Sequence, residues 1–510
     1  MASRLLGVGR EMVLAAVFGA SAQMDAFNVA FRVPNLLRDL FAEGAMTAAF
    51  VPTFTRTLTA GGKEAAWRLG SLVMNALILV TAALALLGML FAPQITGAFA
   101  PEFAAEPGKL ELTTELTRIM LPFLTLLAVA TAMMGMLNSL RRFFVPSLSP
   151  AMFNVASIFS ALAIVPLMPY FGLQPIVGMA IGTLLGGLGQ ILLQWPTLKR
   201  EGFRYQPIVN FKDPTVLEIL RLMGPATLGL AAVQVNVFVN TVLATGEAGA
   251  VSWLQYAFRL MYLPIGIFGV SIATASLPDI SRQAHANDMP AVRGSVSRGL
   301  RLMLMLNVPA MVGLMVLAEP IVAMIYERGV FSRTDTLNTA SALMFYAPGL
   351  IGYSAVKIAS PTFYSLRDSR TPVIVSVLSV VANLAMNLAL VRVLGFKGLA
   401  LGTGIAAILN AVVLLALLRR RLGGLDGQRV FVSLTKITVA SLAMGVAAYL
   451  MLGWLTGLTP DGTELAKILR VGGSISVALV VLAASARLLR IQEFNEATSR
   501  VLARFGRRAA

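Results

Sequence analysis

The 510-residue chain contains no cysteine and one histidine, His285. Without cysteine there is no disulfide, thiolate metal site, iron–sulfur ligation or Cys nucleophile, and the redox compartment leaves no mark on the sequence. A single imidazole nearly excludes histidine metal sites and Ser-His-Asp catalysis as well. Charge is also scarce. Only 13% of residues are charged against 57% hydrophobic, with a mean hydropathy of +0.79, which excludes a string of soluble domains. Acids are scarcer than bases, 24 against 41, for a net charge of +17. In a soluble protein that excess would suggest nucleic acid as partner. Here the lysines and arginines sit in short connections between apolar blocks, so none is expected, and the charge reads as membrane topology.

What the sequence has in quantity is apolar length. Apolar runs fall near 4–20, 25–56, 68–95, 112–140, 147–168, 174–197, 216–244, 249–281, 291–318, 336–365, 372–392, 398–418, 431–454 and 465–487, each about long enough to span a bilayer. The expected fold is an all-α polytopic membrane protein of about fourteen helices. Alternate connections carry the positive charge, as at Arg141 and Arg142 or Arg419, Arg420 and Arg421, which places both termini in the cytoplasm. Ala20-Ser21-Ala22 imitates a signal cleavage site, but Arg10 and Glu11 interrupt the apolar stretch before it, so this segment reads as a short first membrane helix.

The chain repeats itself. Pro52 and Pro278, Pro122 and Pro348, Ser139-Leu140-Arg141 and Ser365-Leu366-Arg367, and Pro146 and Pro372 all stand 226 residues apart. Two six-helix halves follow, 1–200 and 214–421, with two helices appended at 431–487 and a basic tail at 488–510. An even helix number makes the halves parallel repeats, an arrangement found among alternating-access transporters. The offset also puts the counterpart of the seventh helix's start before Met1, so a clipped N-terminus is expected.

Some charges lie inside these segments. An arginine at the bilayer centre costs about 2.5–3.5 kcal/mol on insertion scales, so it persists where it meets a cavity, a partner or a substrate. At 1.5 Å per residue Arg259 lies roughly 15 Å deep in helix 8 and Arg38 roughly 20 Å deep in helix 2. Arg10 falls in the middle of helix 1, while Asp25 stands at the outer mouth of helix 2 and Glu43 nearer the cytoplasm. Neutralisation by neighbours, Arg10 by Glu11 and Arg38 by Asp39, is the plain alternative. Three cations at one depth, with no Walker or Gly-rich phosphate loop, instead point to a phosphate-bearing anion that is moved rather than hydrolysed, since the guanidinium fork pairs bidentately with phosphate. Asn240, Asn383, Asn387 and Thr403 are also intramembrane; interhelical hydrogen bonding is the commoner use of such groups, and cation ligation looks the same in sequence.

Ser3–Glu11 (SRLLGVGRE), Asp25–Arg38 (DAFNVAFRVPNLLR), Phe41–Ala45 (FAEGA), Asn138–Pro150 (NSLRRFFVPSLSP), Val251–Leu260 (VSWLQYAFRL) and Phe363–Pro372 (FYSLRDSRTP) closely resemble the MurJ (MviN) lipid II flippases of the MOP exporter superfamily. The resemblance covers essentially the whole chain. It implies fourteen helices, an N-lobe and a C-lobe about a cationic cavity, and a groove beside helices 13 and 14 for a polyprenyl tail. Carried over by position, the family's substrate-binding arginines are Arg4, Arg10, Arg38 and Arg259, and its cavity acids are Asp25 and Glu43. Phe258 stands where an acid often precedes the helix 8 arginine. Some members have a sodium site at the positions of Asn240, Asn383, Asn387, Leu399 and Thr403. The acids expected at 240 and 387 are amides here, which weakens a hard-cation site, so no cofactor and no sodium coupling is expected.

The resemblance thus implies a flippase of the bacterial inner membrane rather than an enzyme. Its substrate would be lipid II, an undecaprenyl-diphosphate-linked peptidoglycan precursor, carried from the cytoplasmic to the outer leaflet, with membrane lipid and other cell-wall synthesis proteins as further partners. A drug-cation exporter of the superfamily would need acids at the midplane. A membrane glycosyltransferase would need a large outer loop with a catalytic acid, and the longest outer connection, near 94–111, is short.

Overall fold

The computed structural model describes residues 2–39, 44–460 and 462–495, without the side chains of 2–5, 44–48 and 224–233. Among the described residues all regular structure is helical. In chain order the helices are α1 (Ala2–Phe18), α2 (Ala22–Arg38), α3 (Gly44–Leu90), α4 (Ala92–Phe99), α5 (Lys109–Met120), α6 (Phe123–Ser139), α7 (Phe144–Phe159), α8 (Pro175–Arg200), α9 (Pro214–Ala244) and α10 (Ala250–Pro264). They continue as α11 (Val270–His285), α12 (Met289–Val316), α13 (Ala318–Tyr326), α14 (Arg333–Tyr346), α15 (Gly349–Ser365), α16 (Arg370–Leu394), α17 (Phe396–Arg421), α18 (Gly427–Leu458) and α19 (Glu464–Leu488). Among the described residues, helix occurs in each apolar segment expected from the sequence. By length and composition ten described segments can cross a membrane, or eleven when α14 and α15, bent by 45° at their junction, are counted as one span. The protein is therefore a multi-pass membrane protein.

The helix ends have local causes. Ser21 caps α2 by accepting from Met24 N, and Ser332 with Asp335 forms a reciprocal capping box on α14. α3 is two helices joined at Gly62, whose φ of 72° suits glycine. The repeat read from the sequence recurs in these ends. Adding 226 carries the start and end of α6 onto those of α15, and the starts of α4 and α7 onto those of α13 and α16. Pro122 and Pro348 occupy the breaks before α6 and α15, where a missing N–H and a fixed φ are tolerated. Arg141 (φ 58°) and Arg367 (φ 60°) both take the left-handed conformation just past the following ends, closed alike by Arg142 N on Leu137 O and Asp368 N on Phe363 O, each 2.9 Å.

The chain forms two compact units, Met1–Ser252 with Arg328–Phe331, and Trp253–Glu327 with Ser332–Ala510. In the first, Phe50, Phe54, Trp67 and Phe203 form a column with centroids 5.4–5.9 Å apart. The stretch after α8 is strapped onto α3, where Asn75 donates to Gln206 O and Ile208 O at 2.8 Å and accepts from the Tyr205 hydroxyl at 2.7 Å. Lipid gives helices no hydrophobic drive to associate, so small residues that permit close packing matter. Along α8, a Cβ at Gly178, Gly182 or Gly186 would come within 2.5–2.9 Å of Val165, Ser160 or Phe153. In the second unit, α15 meets α17 in the same way, since a Cβ on Gly352 would lie 2.5 Å from the backbone of Ala407. Its core gathers Val292, Val296, Leu300 and Met303 of α12 with Ile437, Ala440 and Ala448 of α18.

Candidate functional site

In the first unit, Asp25 sits in the first turn of α2 and is fully buried. Its two oxygens are filled by four donors: Ser252 Oγ at 2.7 Å and Ser252 N at 3.1 Å on Oδ1, Gly249 N at 2.8 Å and Lys109 Nζ at 3.4 Å on Oδ2. Asp25 thereby caps the open N-terminus of α10, where unpaired N–H groups favour an anion. Lys109, itself 3% exposed at its side chain, is shared with Glu106 at 2.8 Å and lies 4.1 Å from the Phe103 ring centroid. Asn28 adds a bond to Ser252 Oγ at 3.2 Å. In this conformation the carboxylate clamps α2, α5 and the start of α10.

Arg10 and Arg38 are each held by the next residue in sequence. Arg10 is nearly buried, pairs with Glu11 and lies 5.2 Å from the Phe153 ring centroid; its Nε is buried without a partner among the described residues. Arg38 donates from Nε and Nη2 to Asp39 Oδ1 at 3.0 and 2.7 Å, and Gln234 donates to Asp39 Oδ2 at 3.2 Å. Successive residues on a helix point about 100° apart, so these pairs form only because the arginine side chain bends back. A polyvalent anion can compete for such a guanidinium, since Arg–phosphate pairs, like these Arg–carboxylate pairs, are charge-assisted and often bidentate. The side chain of Arg4, and all of Glu43, lie outside the described residues.

In the second unit Arg259 is exposed on α10 between buried Ala257 and Leu260. Phe258 beside it packs into an aromatic group, its ring centroid 5.7 Å from Tyr262, 5.5 Å from Tyr346 and 6.4 Å from Tyr353. On α15, Lys357 is exposed within a helix that carries no other charge. It went unnoticed in the sequence, although a lone cation in an apolar helix is the same sign of function that marked the arginines.

The amides behave as a hydrogen-bonded pair. Asn383 and Asn387 are buried one turn apart on α16, and Asn387 Nδ2 donates to Asn383 Oδ1 at 2.9 Å. Thr403 turns its hydroxyl onto Leu399 O at 2.7 Å, a local bond within α17, and Asn240 lies half-buried on α9 in the first unit. Among the described residues no group of three or more histidines and acids is placed to hold a metal.

Outside the membrane segments two carboxylates anchor connections. Glu201 accepts from Arg142 Nε at 2.7 Å and faces Lys63 at 3.6 Å; the bond from Arg142 holds its carboxyl below the ordinary range. Asp368 accepts from Thr371 N at 3.0 Å, Thr371 Oγ1 at 2.8 Å and Arg421 at 2.6 Å. The Thr371 bonds, ahead of Arg421, lower its carboxyl likewise.

Comparison with known proteins places the chain in a family. The profile of the family described as lipid II flippase MurJ matches residues 14–460. A probable lipid II flippase MurJ of Vibrio cholerae is 34% identical over 97% of this chain and 95% of its own length. A lipid II flippase MurJ of Burkholderia cenocepacia is 33% identical over 82% of this chain and 81% of its own. A solved lipid II flippase MurJ in an inward closed conformation superposes with a TM-score of 0.76 at 27% identity, covering 96% of this chain and 97% of the other. An inward-facing MATE multidrug transporter of the MOP superfamily shares the fold, with a TM-score of 0.69 at 19% identity over 83% of this chain and 96% of that one. With a family profile spanning most of its length and relatives above 30% identity along nearly all of it, the chain belongs to the lipid II flippase MurJ family.

Proposed function

We propose that the protein is a lipid II flippase of the bacterial inner membrane, carrying the undecaprenyl-diphosphate-linked precursor from the cytoplasmic to the outer leaflet by alternating access. The observation that carries this reading is the near-full-length family match combined with cations inside membrane helices. Arg10, Arg38 and Arg259 pair with the diphosphate, with Arg4 and Lys357 adding positive charge. Binding releases Arg10 and Arg38 from Glu11 and Asp39, and those acids recover their arginines when the substrate leaves. Asp25 acts with Lys109, Gly249 and Ser252 as a clamp that opens and closes during the cycle, and Glu43 is the second acid of the site. No bond is made or broken in the substrate.

The distribution of lysine and arginine supports cytoplasmic termini. The helices at 431–487, whose outward faces bear Leu442, Val446, Tyr449 and Leu479, all more than half exposed, offer an apolar surface for the polyprenyl tail. Proteins of cell-wall synthesis supply and remove the substrate. Depletion of the protein in cells, followed by identification of lipid-linked precursors on each leaflet, tests the reading. Lipid II should accumulate on the inner leaflet and disappear from the outer one; accumulation of a different lipid-linked sugar would replace lipid II as the substrate.

A further inference from the structure

A cavity of ≈ 480 Å³ lies beside α12, α18 and the turn that follows α19, lined among others by Arg301, Arg429, Lys436, Arg490, Gln492 and Glu493. None of these serves the proposed transport site. Its floor is Glu493, 5% exposed, whose carboxylate takes an ion pair from Arg301 and a hydrogen bond from Ser433 Oγ at 3.0 Å. Glu493 is thus committed, whereas Arg301 Nε is buried without a partner among the described residues. Arg429, Lys436 and Arg490 have no acidic partner among the described residues. Four cations and one carboxylate leave the lining strongly positive.

The backbone fixes this arrangement. Arg490 takes φ 50° after the end of α19, Ile491 N closes the turn on Ala486 O at 2.9 Å, and Ile491 plugs the core at 1% exposure. Large apolar side chains stand exposed nearby on the same elements, Phe431 (68%), Val432 (45%) and Leu488 (83%). Cations next to exposed apolar side chains at helix ends match the chemistry of a membrane interface, with tails against the apolar groups and an acidic headgroup against the bases. We infer that this cradle binds the phosphodiester of an anionic phospholipid, in the cytoplasmic leaflet on the orientation proposed above. The Arg301 fork and the three further cations surround the phosphate, and Glu493 holds Arg301 in place for it.

The full-length protein, purified in a nonionic detergent, is titrated with dioleoyl phosphatidylglycerol, dioleoyl phosphatidylcholine or glycerol 1-phosphate, and bound mass is read by native mass spectrometry. The expected result is one tightly held phosphatidylglycerol, bound about tenfold more weakly by R429E/K436E, with phosphatidylcholine indifferent to the change. Should the double variant fail to remain monodisperse, R490E on the exposed turn takes its place with the same expectation. Glycerol 1-phosphate binding as well as the lipid, and lost in the same variant, supports the phosphate site and makes a soluble anion its occupant. Equal binding of phosphatidylglycerol by the wild-type and variant proteins overturns the inference. Because the readout is binding, it stands apart from whether lipid II is the transported substrate.

Discussion

The arginines within the membrane helices carry the functional account, and they differ in setting. Arg10 and Arg38 are sheltered by the acids that follow them, while Arg259 is exposed beside an aromatic group and lacks a preceding acid. Arg259→Ala should therefore abolish complementation of a flippase-depleted strain at normal membrane levels, and Arg259→Lys should restore only part, because an ammonium cannot reproduce the bidentate fork. Asp25→Asn should lower stability by about 3–5 kcal/mol, since it leaves buried Lys109 to Glu106 alone; an unchanged melting temperature would refute the clamp. Counting depth along the sequence singled out Arg10, Arg38 and Arg259 because the cost of a charge in lipid rises with depth. It could not locate the partners of Asp25, since Lys109 is 84 residues away and Ser252 is 227. Nothing local in the sequence joins them.

At the level of helices, the sequence was most legible where Pro122 and Pro348 stand before helix starts and Arg141 and Arg367 take the left-handed conformation after helix ends, because both effects act locally; Pro52 and Pro278 repeat as well but lie inside helices. The π-helical stretches at Ser160–Ile164 and Ile265–Gly269 left no such trace, since they shift the hydrogen-bond register without changing the apolar pattern. Helix contact predicts its own sensitivities. Gly352→Leu should destabilise the second unit by about 1–3 kcal/mol, because the added side chain meets the Ala407 backbone, which cannot rotate aside. Thermal unfolding in detergent reads that loss, and an unaltered midpoint would show that α15 and α17 can part without cost. The anchors at Glu201 and Asp368 have a pH signature. Their carboxyls are lower in the folded protein, so their contribution is fully present above the unfolded value near about 4 and is lost as pH falls through the folded values. Asp368→Asn should accordingly reduce stability at neutral pH and flatten the acid limb of the melting profile; a limb as steep as wild type would remove Asp368 from the account.

For the molecule as a whole, the chain has cations within membrane helices, where the proposed diphosphate would pair with them, and neutral amides at Asn383 and Asn387, the second donating to the first. Neutral amide oxygens bind sodium more weakly than carboxylates do, whereas charges within the membrane feel the potential at about 2.3 kcal/mol per charge per 100 mV. Replacing sodium by choline at constant potential should leave translocation unchanged, and collapsing the potential with valinomycin and potassium should slow it; a stop on sodium removal would restore Asn240, Asn383, Asn387, Leu399 and Thr403 as a coupling site. The helical class was readable at this scale because lipid restricts a chain of such composition to helices. Which conformation the compact units adopt is written in contacts far apart in sequence, and so was not. The most direct test of the central claim is the amount of lipid II on the outer leaflet of spheroplasts depleted of the native protein and supplied with wild type or Arg259→Ala. Wild type should restore it and the alanine variant should not, with both present equally in the membrane. Restoration by the variant would contradict an arginine-bound diphosphate as the transported group.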